Sequence, residues 1–206
     1  IIAALCAEIP ADLIVLADDK QVLRQLGSPD PAEGRILKRT GEVPGRVGDG
    51  RWEGGRRVTV ASPATLDQQW DGNRWSAQAQ ALFSRARGVI YDEVHMAGSP
   101  RSQRILRALS HCYWRIGFSA TVTGRADLRD AAVRAHFGPV GYRVPAAELE
   151  AQGVISSQTA TMIRCDQPDQ DAYEAGGYQT AISLSKVRNG LVAQLWALEK
   201  TGVVTF

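Results

Sequence analysis

Apolar residues fall into short blocks along the chain, separated by polar stretches rich in Gly, Pro and Asp. The blocks at 13–17, 57–61 and 88–91 are β-branched or aromatic runs, the pattern of strands buried on both faces. Segments with helical spacing lie between them. Residues 1–8 are apolar and Ala-rich and stop at Pro10; 20–26 place Val22, Leu23 and Leu26 on one face. Asp18 is the expected N-cap of the second helix and Gly27 its stop. Residues 28–34 read as loop and 35–40 as a short strand. Residues 41–55 read as a glycine-rich hairpin carrying Trp52 among Arg46, Arg51, Arg56 and Arg57. Such a hairpin is either a stacking and phosphate surface or a solvated turn whose Trp packs inward.

After the strand at 57–61, Ser62 and Pro63 make a cap and first-turn pair for a helix. Thr65 falls in its first turn, and such a helix start suits a phosphate. A loop at 71–75, a helix at 77–85 and the strand at 88–91 follow. Ser99 and Pro100 repeat the cap pattern before a helix at 101–109. Residues 113–121 form a further apolar segment ending in Ser119, Ala120 and Thr121. Asp127 is placed to cap a helix at 128–136, which breaks at Phe137-Gly138-Pro139. A short strand at 142–144, a helix at 145–152 and a strand at 159–164 complete the first part. Residues 165–171 are polar and contain Pro, the composition of a linker. A long helical stripe at 173–200 and the start of a strand at 203–206 follow. Strands alternating with helices predict an α/β fold, a mostly parallel sheet flanked by helices.

Composition adds bounds. The 206 residues are 44% hydrophobic and 22% charged, ordinary for a soluble globular chain. The net charge of +2 favours neither nucleic acid nor its absence, so any basic surface is local. No apolar run approaches the roughly 20 residues a bilayer needs, and no signal peptide is recognisable. A cytoplasmic protein of no membrane association is expected. Cys6, Cys112 and Cys165 are scattered and odd in number, which suits reduced thiols better than zinc or a disulfide framework.

The candidate chemistry centres on 88–95, Gly-Val-Ile-Tyr-Asp-Glu-Val-His. Asp92 and Glu93 come at the carboxyl end of the strand, where open α/β sheets bind their ligands. Adjacent strand residues point to opposite sides, so the two acids can take different tasks. One carboxylate can hold Mg²⁺, a hard cation that keeps several waters, and the other can orient a water toward a phosphate. His95 is a possible relay toward Ser119, with a satisfied structural histidine as the alternative.

Asp-Glu-Val-His followed by a strand ending Ser-Ala-Thr resembles motifs II and III of superfamily 2 helicases and translocases. The strand and turn at 13–19 resemble motif Ia, although Ala17-Asp18-Asp19 stands where that family has Pro-Thr, and two acids there would repel phosphate. Residues 59–66 resemble motif Ib. The order Phe137-Gly138-Pro139, then Glu148-Leu149, then Gly153-Val154-Ile155, and 178–189 beyond, is similar to the passage between the two RecA-like domains of UvsW-type phage DNA helicases, with XPB-type and RadD-type helicases as wider relatives.

The resemblance implies a RecA-like ATPase domain at 1–165 and a linker with the start of a second at 166–206, truncated at both ends. It implies ATP and Mg²⁺ as cofactors, Asp92 as metal ligand and Glu93 as the residue that positions and deprotonates water. It implies coupling of ATP state to nucleic-acid grip by His95, Ser119, Ala120 and Thr121, and backbone contacts from Ser62, Thr65 and Arg125. The partner implied is branched or single-stranded DNA in recombination, repair or fork processing. The Asp-Glu-Val-His spelling also occurs in Ski2-like RNA helicases, so RNA is a possible partner; the oligomeric state is open. A restriction-type translocase and a non-catalytic nucleic-acid-binding module are the rival readings. No G-x-x-x-x-G-K-[ST] segment occurs in the 206 residues, so the fragment alone is expected to be inactive.

Overall fold

A computed structural model describes residues 1–121, 130–156 and Gly190. The chain divides into two compact units, 1–143 and 144–206. The first is built on one sheet of six strands in the order β3-β2-β4-β1-β5-β6. These are β1 (Leu13–Leu16), β2 (Gly45–Gly48), β3 (Arg51–Trp52), β4 (Val58–Ala61), β5 (Gly88–Asp92) and β6 (Trp114–Phe118). All neighbours are parallel except β2 and β3, an antiparallel hairpin. Asp49 and Gly50 turn that hairpin with φ of 54° and 78°, the positive-φ pair a two-residue hairpin loop needs.

The alternation of strand residues divides the core into two layers. Ile14, Leu16, Val89 and Tyr91 face one side, where α4 (Pro63–Asp67), α5 (Ala77–Arg85), α6 (Pro100–Ala108) and α7 (Asp130–Phe137) cover them with Leu66, Phe83, Leu106 and Val133. Leu13, Val15, Val60 and Ile90 face the other, under α1 (Ile2–Glu8), α2 (Lys20–Gly27) and α3 (Arg35–Thr40) with Cys6, Leu23 and Ile36. Burial on both faces explains why β1, β4 and β5 read as continuous apolar runs. β6 differs. It has no neighbour beyond β5 among the described residues, and Trp114 on it is 42% exposed.

Two sequence expectations are corrected here. Residues 35–40 are helix, not strand: Arg, Leu and Lys are good helix formers, Ile36 supplies the buried contact, and Gly41 closes the end at φ 73°. Residues 142–144 form no strand; among the described residues no strand pairs with them, and Tyr142 is 81% exposed. In the second unit, α8 (Ala146–Ala151) ends before Gly153, whose φ is 67°. The boundary expected at 165/166 and everything read from 159 onward, Cys165 included, lie outside the described residues, as do Arg125 and Asp127.

Candidate active site

The acids sit where the strand pattern puts them. β5 needs glycine at Gly88, where a Cβ would come within 2.6 Å of Leu13 Cδ2 and 2.9 Å of Trp114 Cβ. The strand ends on Asp92, paired in register with Phe118 of β6. Glu93 then leaves the strand with φ 56° and ψ 53°. A left-handed glutamate is strained, and it abolishes simple alternation: Glu93 is re-aimed by the turn, not by the pleat. A 3₁₀ turn, Val94–Gly98, folds back over the sheet. Gly117 makes room for it, because a Cβ there would lie 2.5 Å from Val94 Cγ2.

That turn brings three predicted residues together. His95 Nδ1 lies 3.0 Å from Glu93 Oε2 and 2.9 Å from Ser119 Oγ. Ser119 Oγ is 3.3 Å from Glu93 Oε2 and accepts from Thr121 N–H at 3.2 Å. A proton on Nδ1 suits the carboxylate it faces. Ala120 and Thr121 are exposed beside this group. Glu93, His95 and the serine at the next strand end thus form one hydrogen-bonded cluster. Asp92 stands apart from it, half-buried. Burial, the charge of Glu93 and the charge of Asp19 raise its proton affinity above the usual aspartate range. A carboxylate that burial and neighbouring negative charge make reluctant to ionise suits a cation. Mg²⁺ takes one or two carboxylates and completes its shell with phosphate and water, so Asp92 fits it. Among the described residues no group of three or more His, Cys, Asp or Glu is arranged as a complete metal cage.

The acids after β1 have internal tasks that the sequence did not reveal. Asp19, not Asp18, caps α2: its Oδ1 accepts from Gln21 N–H at 2.6 Å and Val22 N–H at 2.9 Å. Asp18 Oδ2 instead accepts from the Tyr91 hydroxyl at 3.0 Å. Tyr91 is fully buried, and its oxygen is 2.8 Å from Ser102 Oγ, which in turn receives Ser99 Oγ–H at 2.9 Å. A carboxylate only accepts, so donation runs from Ser99 to Ser102, from Ser102 to Tyr91 and from Tyr91 to Asp18. The available signal was Tyr91 itself: a phenol in a strand buried on both faces requires a polar partner.

Ser62 and Thr65 lie at the end of β4, two strands away from Asp92, across a lateral distance of about 10 Å. Ser62 occupies the cap position of α4 but its hydroxyl makes no capping bond. The arginines around Trp52 are largely engaged within the fold. Arg46 is 9% exposed and pairs with Asp49 at 3.0 Å; Arg57 holds Glu42 at 2.7 Å and the Cys6 and Ile9 carbonyls at 3.1 Å. Trp52 packs against the core, so the inward-packed hairpin is the form adopted.

No helix among the described residues is long and apolar enough to cross a membrane. No family model matches the chain. Over 175 residues it is 30% identical to the DNA 3'-5' helicase XPB of Kineococcus radiotolerans, an alignment that covers 77% of this chain and 30% of that protein. The chain therefore spans about 30% of the length of the curated relative it matches, and over most of its own length it is similar to a DNA helicase.

Proposed function

We propose that this chain is the part of an ATP-dependent DNA helicase or translocase that holds Mg²⁺ and the attacking water. The observation that carries the reading is Glu93, which follows Asp92 in sequence, turns out of β5 in a left-handed conformation and is hydrogen-bonded into a cluster with His95 and Ser119. In it, Asp92 would hold Mg²⁺, and the ion would supply positive charge against the phosphates of ATP. Glu93 orients and deprotonates water. His95 and Ser119, with Ala120 and Thr121, report the state of Glu93 to the end of β6. Ser62, Thr65 and Arg125 contact the nucleic-acid backbone, contacts that carry no sequence preference and weaken with salt. The similarity to a DNA helicase favours DNA over RNA. A role of the UvsW type, on branched DNA in recombination, repair or fork processing, is the finer form of this proposal.

The test is Glu93→Gln in the complete protein, assayed for ATP binding and for hydrolysis with branched DNA, single-stranded DNA and RNA. ATP binding is expected to persist while DNA-stimulated turnover falls at least a hundredfold, the scale of a lost general base. Turnover near that of the unmodified protein would reject the assignment, and stimulation by RNA alone would move it to RNA helicases.

A further inference from the structure

The helix that begins at Ser62 leads directly into a feature the proposed chemistry does not use. After α4, residues 70–75 form a small hairpin closed by an antiparallel bridge between Trp70 and Trp75. Asp71 Oδ1 shapes the turn by accepting from Asn73 N–H and Arg74 N–H, both at 2.8 Å. Three rings form a ladder leading outward from the core. Phe83 is buried; Trp75 meets it edge-on at 5.0 Å; Trp70 meets Trp75 edge-on at 5.1 Å. Trp75 packs against the core cluster, and Trp70 stands one ring further out.

Beside these rings lies a cavity of about 540 Å³, lined among others by Gln69, Gln80 and Arg74. Its amides are fixed in place. Gln69 Oε1 accepts from Ser76 Oγ–H at 2.8 Å and Gln78 Nε2–H at 2.7 Å, and Gln80 Nε2 donates to the Trp75 carbonyl at 2.7 Å. Gln69 Nε2 and Gln80 Oε1 are left without partners among the described residues, one donor and one acceptor at the cavity. Arg74, its side chain 80% exposed, also lines the cavity and forms an exposed pair with Asp71 at 3.4 Å.

We infer that this aromatic hairpin is a binding site for an unstacked nucleobase of a single-stranded nucleic acid. The base stacks on Trp70, its polar edge meets the free amide groups of Gln69 and Gln80, and Arg74 meets the adjoining phosphate. Every part of that ligand has a counterpart in the hairpin and its cavity: a flat π-face, a donor–acceptor edge and a negative charge. A duplex, whose bases are already stacked, presents no such face. Stacking tolerates all four bases and ignores the sugar, so DNA and RNA bind alike. The five-residue α4 spans only about 7.5 Å, so a strand whose backbone passes Ser62 and Thr65 reaches the hairpin within a few nucleotides. This site rests on the nucleic-acid part of the proposed function.

The test is fluorescence titration of the complete protein, without ATP, using a short single-stranded oligonucleotide, the same oligonucleotide with abasic sites, and a duplex. Trp70→Ala is expected to weaken the single strand about tenfold and to leave abasic and duplex binding unchanged. Trp70→Phe retains a stacking face, so it restores most of the affinity and shows that a folding defect is not the cause. Arg74→Ala is expected to lower the slope of log K against log salt by about one. Equal binding of the abasic and intact oligonucleotides, or undiminished binding by Trp70→Ala while DNA still stimulates ATP hydrolysis, overturns the site and leaves the motor reading standing. Failure of the unmodified protein to bind any of the three ligands overturns both.

Discussion

The hydroxyl of Tyr91 donates to Asp18 across 3.0 Å, joining the strand that ends in the site acids to the turn after β1. Tyr91 lies just before Asp92, so the phenol fixes the strand immediately behind the proposed metal ligand. Tyr91→Phe keeps the ring and deletes that tie. It is expected to destabilise the domain by about 1 kcal/mol, the scale of one hydrogen bond. Thermal unfolding of Tyr91→Phe checks this, with Asp18→Asn as a partner variant expected to cost less because Asn still offers an acceptor.

Gly117 and Val94 touch so closely that neither is freely replaceable. Gly117→Ala places a methyl where Val94 stands, which is expected to cost about 1–3 kcal/mol and to disturb the turn that carries Glu93 and His95. Adding Val94→Ala relieves the overlap. A double-mutant cycle in denaturant is expected to give a favourable coupling, and additive effects would disprove the contact.

Asp92 is ionised against its surroundings. Its proton affinity is raised, so the folded state binds a proton there more tightly than the unfolded chain, and the ionised carboxylate costs stability at neutral pH. Asp92→Asn removes that cost. The unfolding midpoint without Mg²⁺ is expected to rise by an amount worth less than about 1 kcal/mol, and in the complete protein the proposed Mg²⁺-dependent ATP hydrolysis is expected to be lost. An unchanged or lower midpoint would contradict the electrostatic account.

His136 supplies a pH test. Its Nδ1 faces the Arg115 guanidinium at 3.2 Å and its Nε2 faces Gln103 Oε1 at 3.0 Å. Burial first, then Arg115 and Arg107, lower its proton affinity below the ordinary value of 6.5. The unfolded chain therefore takes up a proton before the folded one does. Stability from the neutral imidazole is complete above pH 6.5 and declines as the pH falls from there toward the lowered folded value. Unfolding midpoints measured from pH 7.5 to 5 are expected to fall, and His136→Gln to flatten the curve.

Periodicity made the sheet legible because β1, β4 and β5 are apolar on both faces, and cap pairs such as Ser99 with Pro100 marked where α6 begins. Glu93, His95 and Ser119 were grouped by their resemblance to two helicase motifs, and they meet because β5 and β6 are adjacent parallel strands. The turn at Glu93 was not legible, since nothing in Asp-Glu-Val-His announces a left-handed residue. The partners of Asp18 and Asp19 were hidden for a different reason. Either acid could cap α2, and the choice depends on Tyr91, 73 residues away from Asp18 in sequence. Residues 35–40 misread because one buried isoleucine in six gives no period to measure.

The position of β1 in the middle of the sheet also governs the order of assembly. Leu13 pairs with Val58 on one side and with Gly88 on the other. As the chain is synthesised, β1 is made before both of its neighbours and waits through long stretches of sequence for each. Ser119, which completes the hydrogen-bonded cluster, comes later still. Such non-local pairing slows folding and leaves an apolar strand without cover in the nascent chain. The Glu93–His95–Ser119 cluster therefore forms only after the described strands β1 and β4 to β6 have all been made.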